Sequence, residues 1–282
     1  YKDKKNAAGD YTGYRDSINY LGEYNYNLDT KIVYGLDNEL EKSRYRTYTT
    51  QKENDKEEFI LAQFADIQFR PLEKLYSTFG LRRDDHRTAG DWYSARATFA
   101  YNYDKNTKYR TSFGNGIKFG TMQDYYYGTS IVNKSELQPE QSLGIDFGID
   151  KYIENLDLDL SLTAFFIQYE DHIAGWAGNK NENGDTFAVK NSDGKIKNKG
   201  IELSASKMLQ DDLKLNFNYT FIDSYDGEDC DDPSKRPADC IDEQGVLVPR
   251  HSMNAKLAKN INNLNLAVKA KYVGEMRDYG NF

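Results

Sequence analysis

The chain has 282 residues, 37 of them basic and 45 acidic, and the resulting net charge of −8 implies no large cationic surface for nucleic acid. Only 38% of residues are hydrophobic, and no run reaches the roughly 18 apolar positions that a membrane-crossing helix requires. An aromatic content of 14% argues against disorder, while two cysteines and three histidines leave few ligands for a zinc or haem centre.

The first residues read YKDKKNAAGDYTGY, without initiator methionine, basic segment or apolar stretch. Any export signal is therefore expected to be missing or already removed, and the chain to be a piece of something longer. Helical spacing then fails almost throughout, and period-two alternation replaces it. Leu75, Phe79 and Leu81 alternate with Tyr76, Thr78 and Arg82, and Ala95, Ala97, Phe99, Tyr101 and Tyr103 with Ser94, Arg96, Thr98 and Asn102. Leu143, Ile145, Phe147 and Ile149 alternate with Ser142, Gly144, Asp146, Gly148 and Asp150. The clearest case sets Leu156, Leu158, Leu160, Leu162, Ala164 and Phe166 against Asp157, Asp159, Ser161 and Thr163. Leu213, Leu215, Phe217, Tyr219 and Phe221 repeat the pattern against Lys214, Asn216, Asn218 and Thr220, as do Leu264, Leu266, Val268 and Ala270 against Asn265, Lys269 and Lys271.

Short turns are predicted at 27–30, 71–74, 104–107, 153–155, 210–212 and 262–263, and long polar connections at 43–56, 83–92, 119–137, 170–198 and 222–249. Short and long connections taking turns describe an up-and-down meander with one trimmed and one elaborated end. Predicted strands of about 10 to 14 residues exceed the usual 5 to 6 of globular proteins and match the 9 to 11 tilted residues that cross a bilayer. The fold class expected is all-β, a transmembrane antiparallel up-and-down β-barrel of which about twelve strands are present, with a soluble sandwich as the alternative. In lipid every backbone N–H and C=O must be paired internally, so such a sheet closes on itself, apolar positions outward and polar positions inward. Tyr24, Tyr26, Phe69, Tyr101, Tyr103 and Tyr109 lie beside short turns, where an interfacial girdle belongs, although tyrosine is favoured in any strand.

The segments LYSTFGLRRDDH (75–86), ATFAYNYDKNTKYRTSFGNGIKFGT (97–121) and SELQPEQSLGIDFGID (135–150) resemble, in order and spacing, the barrel half of TonB-dependent outer-membrane receptors. The likeness continues through 198–209, 213–226 and 248–274, and its most specific residues are Leu137, Pro139, Glu140 and Ser142, Gly200 with Glu202, and Asn218, Tyr219 and Thr220. It runs from about residue 56 onward and looks closest to vitamin B12 and catecholate-siderophore receptors. Nothing in the chain resembles the family's plug domain or the segment that TonB grips, and the last hairpin is missing. The resemblance therefore implies a partial barrel domain over 1–282, taken from a barrel of roughly 22 strands.

What the resemblance implies for function is active uptake of a scarce ferric siderophore or cobalamin-like nutrient across the bacterial outer membrane. Transport would be driven by TonB through the absent plug, with no catalysis. A passive porin-like channel and a soluble carbohydrate-binding sheet protein are the alternatives. Ligand contacts are expected from the loops and outer rim at Arg82, Arg83, His86, Trp92, Tyr125, Tyr126, Tyr127 and Trp176, where exposed aromatics could stack on a flat ligand; packing of the loops is the competing role. Arg96, Arg110, Asp146, Asp150, Glu202, Asn216, Asn218 and Lys269 are expected on the lumen wall, facing the plug, although their mixed signs would equally suit the water-filled channel of a porin. His86 behind Asp84 and Asp85 could activate water, but no second placed carboxylate pair accompanies it. His172 and His251 are expected simply to face solvent. Cys230 and Cys240 are expected to form a disulfide worth about 2 to 3 kcal/mol, two free thiols being the alternative. Around them Asp223, Asp226, Glu228, Asp229, Asp231 and Asp232 could bind calcium, although a solvated acidic loop fits better. No other cofactor is expected. Gly114, Gly116 and Gly120 lie in an alternating strand with no helix after them, so a bend or close packing accounts for them better than phosphate binding.

Overall fold

The computed structural model describes residues 2–5, 9–47, 53–126, 130–131, 137–174, 188–192, 194–210, 212–226, 244–245 and 247–276. Thirteen strands form one antiparallel sheet in chain order. They are β1 (Lys2–Lys5), β2 (Gly9–Asn27), β3 (Thr30–Thr47), β4 (Glu53–Leu72), β5 (Leu75–His86), β6 (Gly90–Asp104), β7 (Thr107–Lys118), β9 (Glu140–Ile153), β10 (Leu158–Glu170), β13 (Ile196–Gln210), β14 (Leu213–Asp226), β15 (His251–Ile261) and β16 (Leu264–Val273). Three short strands, β8 (Ser130–Ile131), β11 (Ile173–Ala174) and β12 (Ala188–Asn191), and one short helix, α1 (Met122–Tyr126), lie in the long connections. No helix among the described residues is long and apolar enough to cross a membrane. Twelve of the thirteen strands are long, in agreement with the expected number, and β1 adds four residues.

The short turns fall where the sequence places them. Asp157, Asp212 and Asn262 occupy left-handed backbone conformations there, with φ of 47°, 62° and 52°. Asp and Asn tolerate that region because a short polar side chain can bond locally. The 153–155 turn is one 3-10 turn over Glu154–Leu156, so Leu156 lies in the turn and the strand begins at Leu158.

Two long connections are shorter than expected. Strands β2, β3 and β4 run to 19, 18 and 20 residues, about twice what a bilayer needs, and absorb most of 43–56. At their far ends the outward positions carry Lys42 with Glu57 (3.5 Å) and Arg44 with Asp55 (2.9 Å). With no lipid there to demand apolar residues, the sequence reads as a loop while the hairpin continues into water. Likewise 83–92 is strand except for a turn at 87–89.

The polarity of the sheet is inverted relative to a soluble protein. Ile18, Leu81 and Val268 are 77%, 70% and 72% exposed, and Ile145, Phe147, Leu162 and Phe166 are exposed on the same face. Glu58, Asp84, His86, Thr107 and Thr163 are buried. A second sheet would cover the leucines and phenylalanines, and the sandwich alternative is therefore not favoured. So large an apolar face needs lipid. Tyr24, Tyr26, Tyr101 and Tyr103 are exposed on it beside the short turns, and Phe79 packs between Phe69 (5.8 Å between ring centroids) and Phe99 (5.5 Å). Toward the other end, outward Leu81 is followed by Arg83 and Asp85, and Arg83 pairs with Asp91 at 2.6 Å. On β5 the outward positions thus change from apolar to charged between Leu81 and Arg83.

Candidate functional site

On the polar face, long side chains reach across one strand to the next but one. Gly80 lies in register between Asp66 and Arg96, whose Nη2 donates to Asp66 Oδ2 at 3.0 Å over the glycine. A Cβ on Gly80 would stand 2.0 Å from Asp66 Oδ1. Gly148 lies between Arg110 and Thr163 in the same manner, and Arg110 Nη2 donates to Thr163 Oγ1 (2.6 Å) and Ser161 Oγ (3.2 Å). Asp150 closes that group, accepting from Ser161 Oγ at 2.6 Å and pairing with Lys108 at 2.9 Å. Arg82 Nη1 donates to Asp37 Oδ2 at 2.7 Å and its Nε to Asp84 Oδ1 at 2.9 Å. Arg15 is shared by Glu39 (3.1 Å) and Glu41 in the same way. Contacts spanning three strands suit a sheet that curls toward this face, as the inner wall of a β-barrel does.

Exposed ion pairs contribute only about 0.2 to 1 kcal/mol each. Their value here is to fix a charged relief on the wall rather than to stabilise the sheet. The expected lumen residues all project on this face: Arg96, Arg110, Asp146 and Asp150 within the networks, Asp146 accepting from Ser112. Glu202 sits in the same row, opposite Thr163 and Thr220. Beyond Glu202 the middle of the wall is neutral, with Asn216 opposite Ser206 and Asn218 opposite Ser204, until Lys269 faces Lys256. A cavity of about 760 Å³ runs along the short-turn end of this sector, lined by Asp150, Ser161, Ser204, Ser206, Asn216 and Asn218.

The expected rim set divides. Arg82 is on the wall, whereas neighbouring Arg83 points outward to Asp91 and shares no surface with it. Trp92 is half-buried, its Nε1 donating to the Ala89 carbonyl at 2.9 Å. His86 is 2% exposed, too buried for a ligand contact. Its ring stacks on Phe119 with centroids 4.4 Å apart and lies 5.3 Å from Tyr125, and its Nδ1 accepts the N–H groups of Thr88 (3.2 Å) and Ala89 (3.1 Å). The water-activating pair is not assembled, because Asp84 is bound to Arg82 and Asp85 belongs to the outward face. Tyr125 is fully buried with Leu137 and Val189, and burial pushes its phenol up to about 12. This apolar cluster, in the long connections, takes the loop-packing role.

Glu58 is the residue that sequence reasoning missed. It is 3% exposed, accepts from Thr88 Oγ1 at 2.5 Å and from the Tyr126 hydroxyl, and has its second oxygen 3.6 Å from His86 Nδ1. The available signal was its parity with Ile60 and Ala62 on the inward side of β4. Leu137 and Pro139 are buried, and Glu140 pairs with Lys118 (2.8 Å) and His172 (3.2 Å), so His172 does not simply face solvent. His251 is exposed but shares a hydrogen bond of 2.8 Å with the Tyr219 hydroxyl. Tyr127, Trp176, Cys230, Cys240, Glu228, Asp229, Asp231 and Asp232 lie outside the described residues, as does the Asp226 side chain. Asp223 is occupied by Lys199 at 3.1 Å, and among the described residues no cluster could hold a metal ion.

Comparison with known proteins accounts for this arrangement. A family model described as TonB dependent receptor-like, beta-barrel matches residues 2–282, well upstream of the point where the likeness becomes legible. No curated protein matches the chain. Among solved structures, the ferric enterobactin receptor PfeA of Pseudomonas aeruginosa bound to enterobactin superposes with a TM-score of 0.74 at 18% identity, over 95% of this chain and 43% of that one. The copper transporter OprC gives 0.70 at 14% identity, over 94% of this chain and 44% of the other. The FrpB iron transporter of Neisseria meningitidis gives 0.70 at 14%, over 93% and 42%. The chain thus spans less than half of each, and identities this low establish the shared fold alone.

Proposed function

Because the chain belongs to the TonB-dependent receptor family of β-barrels, which sit in the Gram-negative outer membrane, we propose that it forms part of the wall of an active-uptake receptor for a scarce metal chelate or cobalamin-like nutrient. The single observation that carries this reading is the charged relief of the wall, in which Arg82, Arg96 and Arg110 are each held in a fixed position. A wall held rigid by networks suits a folded plug in the lumen. The family consists of transport receptors, and the printed names of the structural neighbours, a ferric enterobactin receptor, a copper transporter and an iron transporter, support a metal-bearing ligand. Energy from TonB through a plug, and the cobalamin option, rest on the family resemblance.

The test is growth of a strain lacking the full gene on single iron chelates, limiting copper, or cobalamin as the sole source. The reading expects loss of growth on one of these, restored by the full-length gene and abolished again by deleting TonB. Restoration that persists without TonB would indicate a passive channel instead.

A further inference from the structure

We propose that His86 is the pin of an acid-released latch that holds the 119–126 segment folded inward over the rim of the lumen. Both barrel-side members, Glu58 on β4 and His86 at the end of β5, project from the polar face. The segment meets them there: Phe119 and Tyr125 flank the imidazole, and Tyr126 donates to Glu58. Lys56 Nζ lies 5.5 Å above the Tyr126 ring, also on the inward side. Tyr125 continues into the apolar cluster with Leu137, Val189 and Ile173, and β8 pairs in parallel with β12. The described parts of two long connections that are distant in sequence thereby pack together; at 170–173 they are tied to β9 through Glu140 and Gln141, and at 119–126 to the wall through the Glu58 and His86 post.

The post is protonation-sensitive by construction. His86 Nδ1 accepts two backbone N–H groups, so it must carry its lone pair, and the ring is neutral with its proton on Nε2. A proton added at Nδ1 would face both of these donors of its own turn, and the resulting cation would lie between the Phe119 and Tyr125 rings with almost no access to water, a cost that Glu58 Oε2, 3.6 Å away, offsets only in part. The charged groups acting on the ring are Glu58 from β4, Glu41 from β3 and Asp85 on its own strand, and the Tyr125 phenol lies beside it. The three carboxylates favour the charged ring, but burial outweighs them and His86 titrates below its ordinary value of 6.5.

The sign of the pH effect follows. Docking favours neutral His86, whereas the undocked ring, relieved of burial but still beside its carboxylates, titrates higher, so the latch is strongest at alkaline pH. As pH falls from the undocked toward the docked titration, docking weakens by up to about tenfold per unit.

Amide hydrogen exchange on the full-length receptor in detergent, between pH 5 and 8 and corrected for intrinsic rates, tests this. Protection of 119–126 and 188–191 should fall together as pH is lowered across this range while the short-turn end is unchanged. His86→Gln should remove the pH dependence. Glu58→Gln retains an acceptor for Tyr126 and Thr88 but loses a charge that favours protonated His86, and should move the transition to lower pH. Protection that is constant over pH 5 to 8, or equally pH-dependent in His86→Gln, would overturn the latch. If His86→Gln does not assemble, a Glu58→Gln transition that stays in place or moves upward would do the same.

Discussion

Gly200→Ala is expected to cripple barrel assembly, although it adds one methyl group. A Cβ at Gly200 would lie 2.1 Å from the carbonyl oxygen of Phe221 on β14 and 2.7 Å from Cζ of the Phe165 ring on β10. The ring could swing aside, but the carbonyl belongs to the ladder pairing β13 with β14 and moves only if the strands separate. Overpacking of this kind costs about 1 to 3 kcal/mol, occasionally more, and backbone involvement puts this position at the upper end. Gly144→Ala is the matched control, since its Cβ would meet nothing closer than Ile167 Cγ1 at 3.7 Å. In the full-length receptor, the Gly200 variant should lose the heat-dependent gel migration of a folded barrel, or show a clearly lower denaturant midpoint, while the Gly144 variant behaves as wild type. Equal behaviour of the two would mean that the close approach at Gly200 does not exist.

Leu162→Arg should be almost as damaging for a different reason. Leu162 sits mid-strand in the apolar row of β10, between Ile149 and Leu203, and is 47% exposed. By a soluble protein's standards, an arginine at a half-exposed position is harmless, within about 0.5 kcal/mol. Facing the middle of a bilayer it costs about 2 to 4 kcal/mol. Asn218→Arg, on the polar face opposite Ser204 and Asn254, should be nearly neutral. Refolding both variants into lipid vesicles and measuring unfolding free energies separates the two environments.

Much of the fold was legible because a lipid-facing strand writes its environment into every second residue. Leu158 to Phe166 and Leu143 to Ile149 could be assigned to a face without any structure. The same rule separates Arg82 from Arg83, since adjacent strand positions point to opposite faces, yet placing both among the rim ligand contacts ignored it. Where lipid ends the writing stops, and the end of β3 and the start of β4, within 43–56, therefore resembled a loop. His86 was illegible for another reason. Its burial depends on Phe119 and Tyr125, which the topology returns to the rim from a distant connection, and on Glu58 from the preceding strand. The family-specific residues Leu137, Pro139 and Glu140 turned out to be rim packing, a role that their spacing alone does not disclose.

The most direct measurement places single cysteines, in the full-length receptor, along Ile145, Asp146, Phe147, Leu162 and Thr163, each carrying a nitroxide label. Lipid-dissolved oxygen should relax the labels at 145, 147 and 162, while a water-soluble nickel complex should spare those three and reach 146 and 163 better wherever the lumen is open to it. A period-two pattern in oxygen access is the predicted result. Equal, low access to oxygen at all five positions would mean that the apolar row is packed against protein, and the membrane wall described here would not exist.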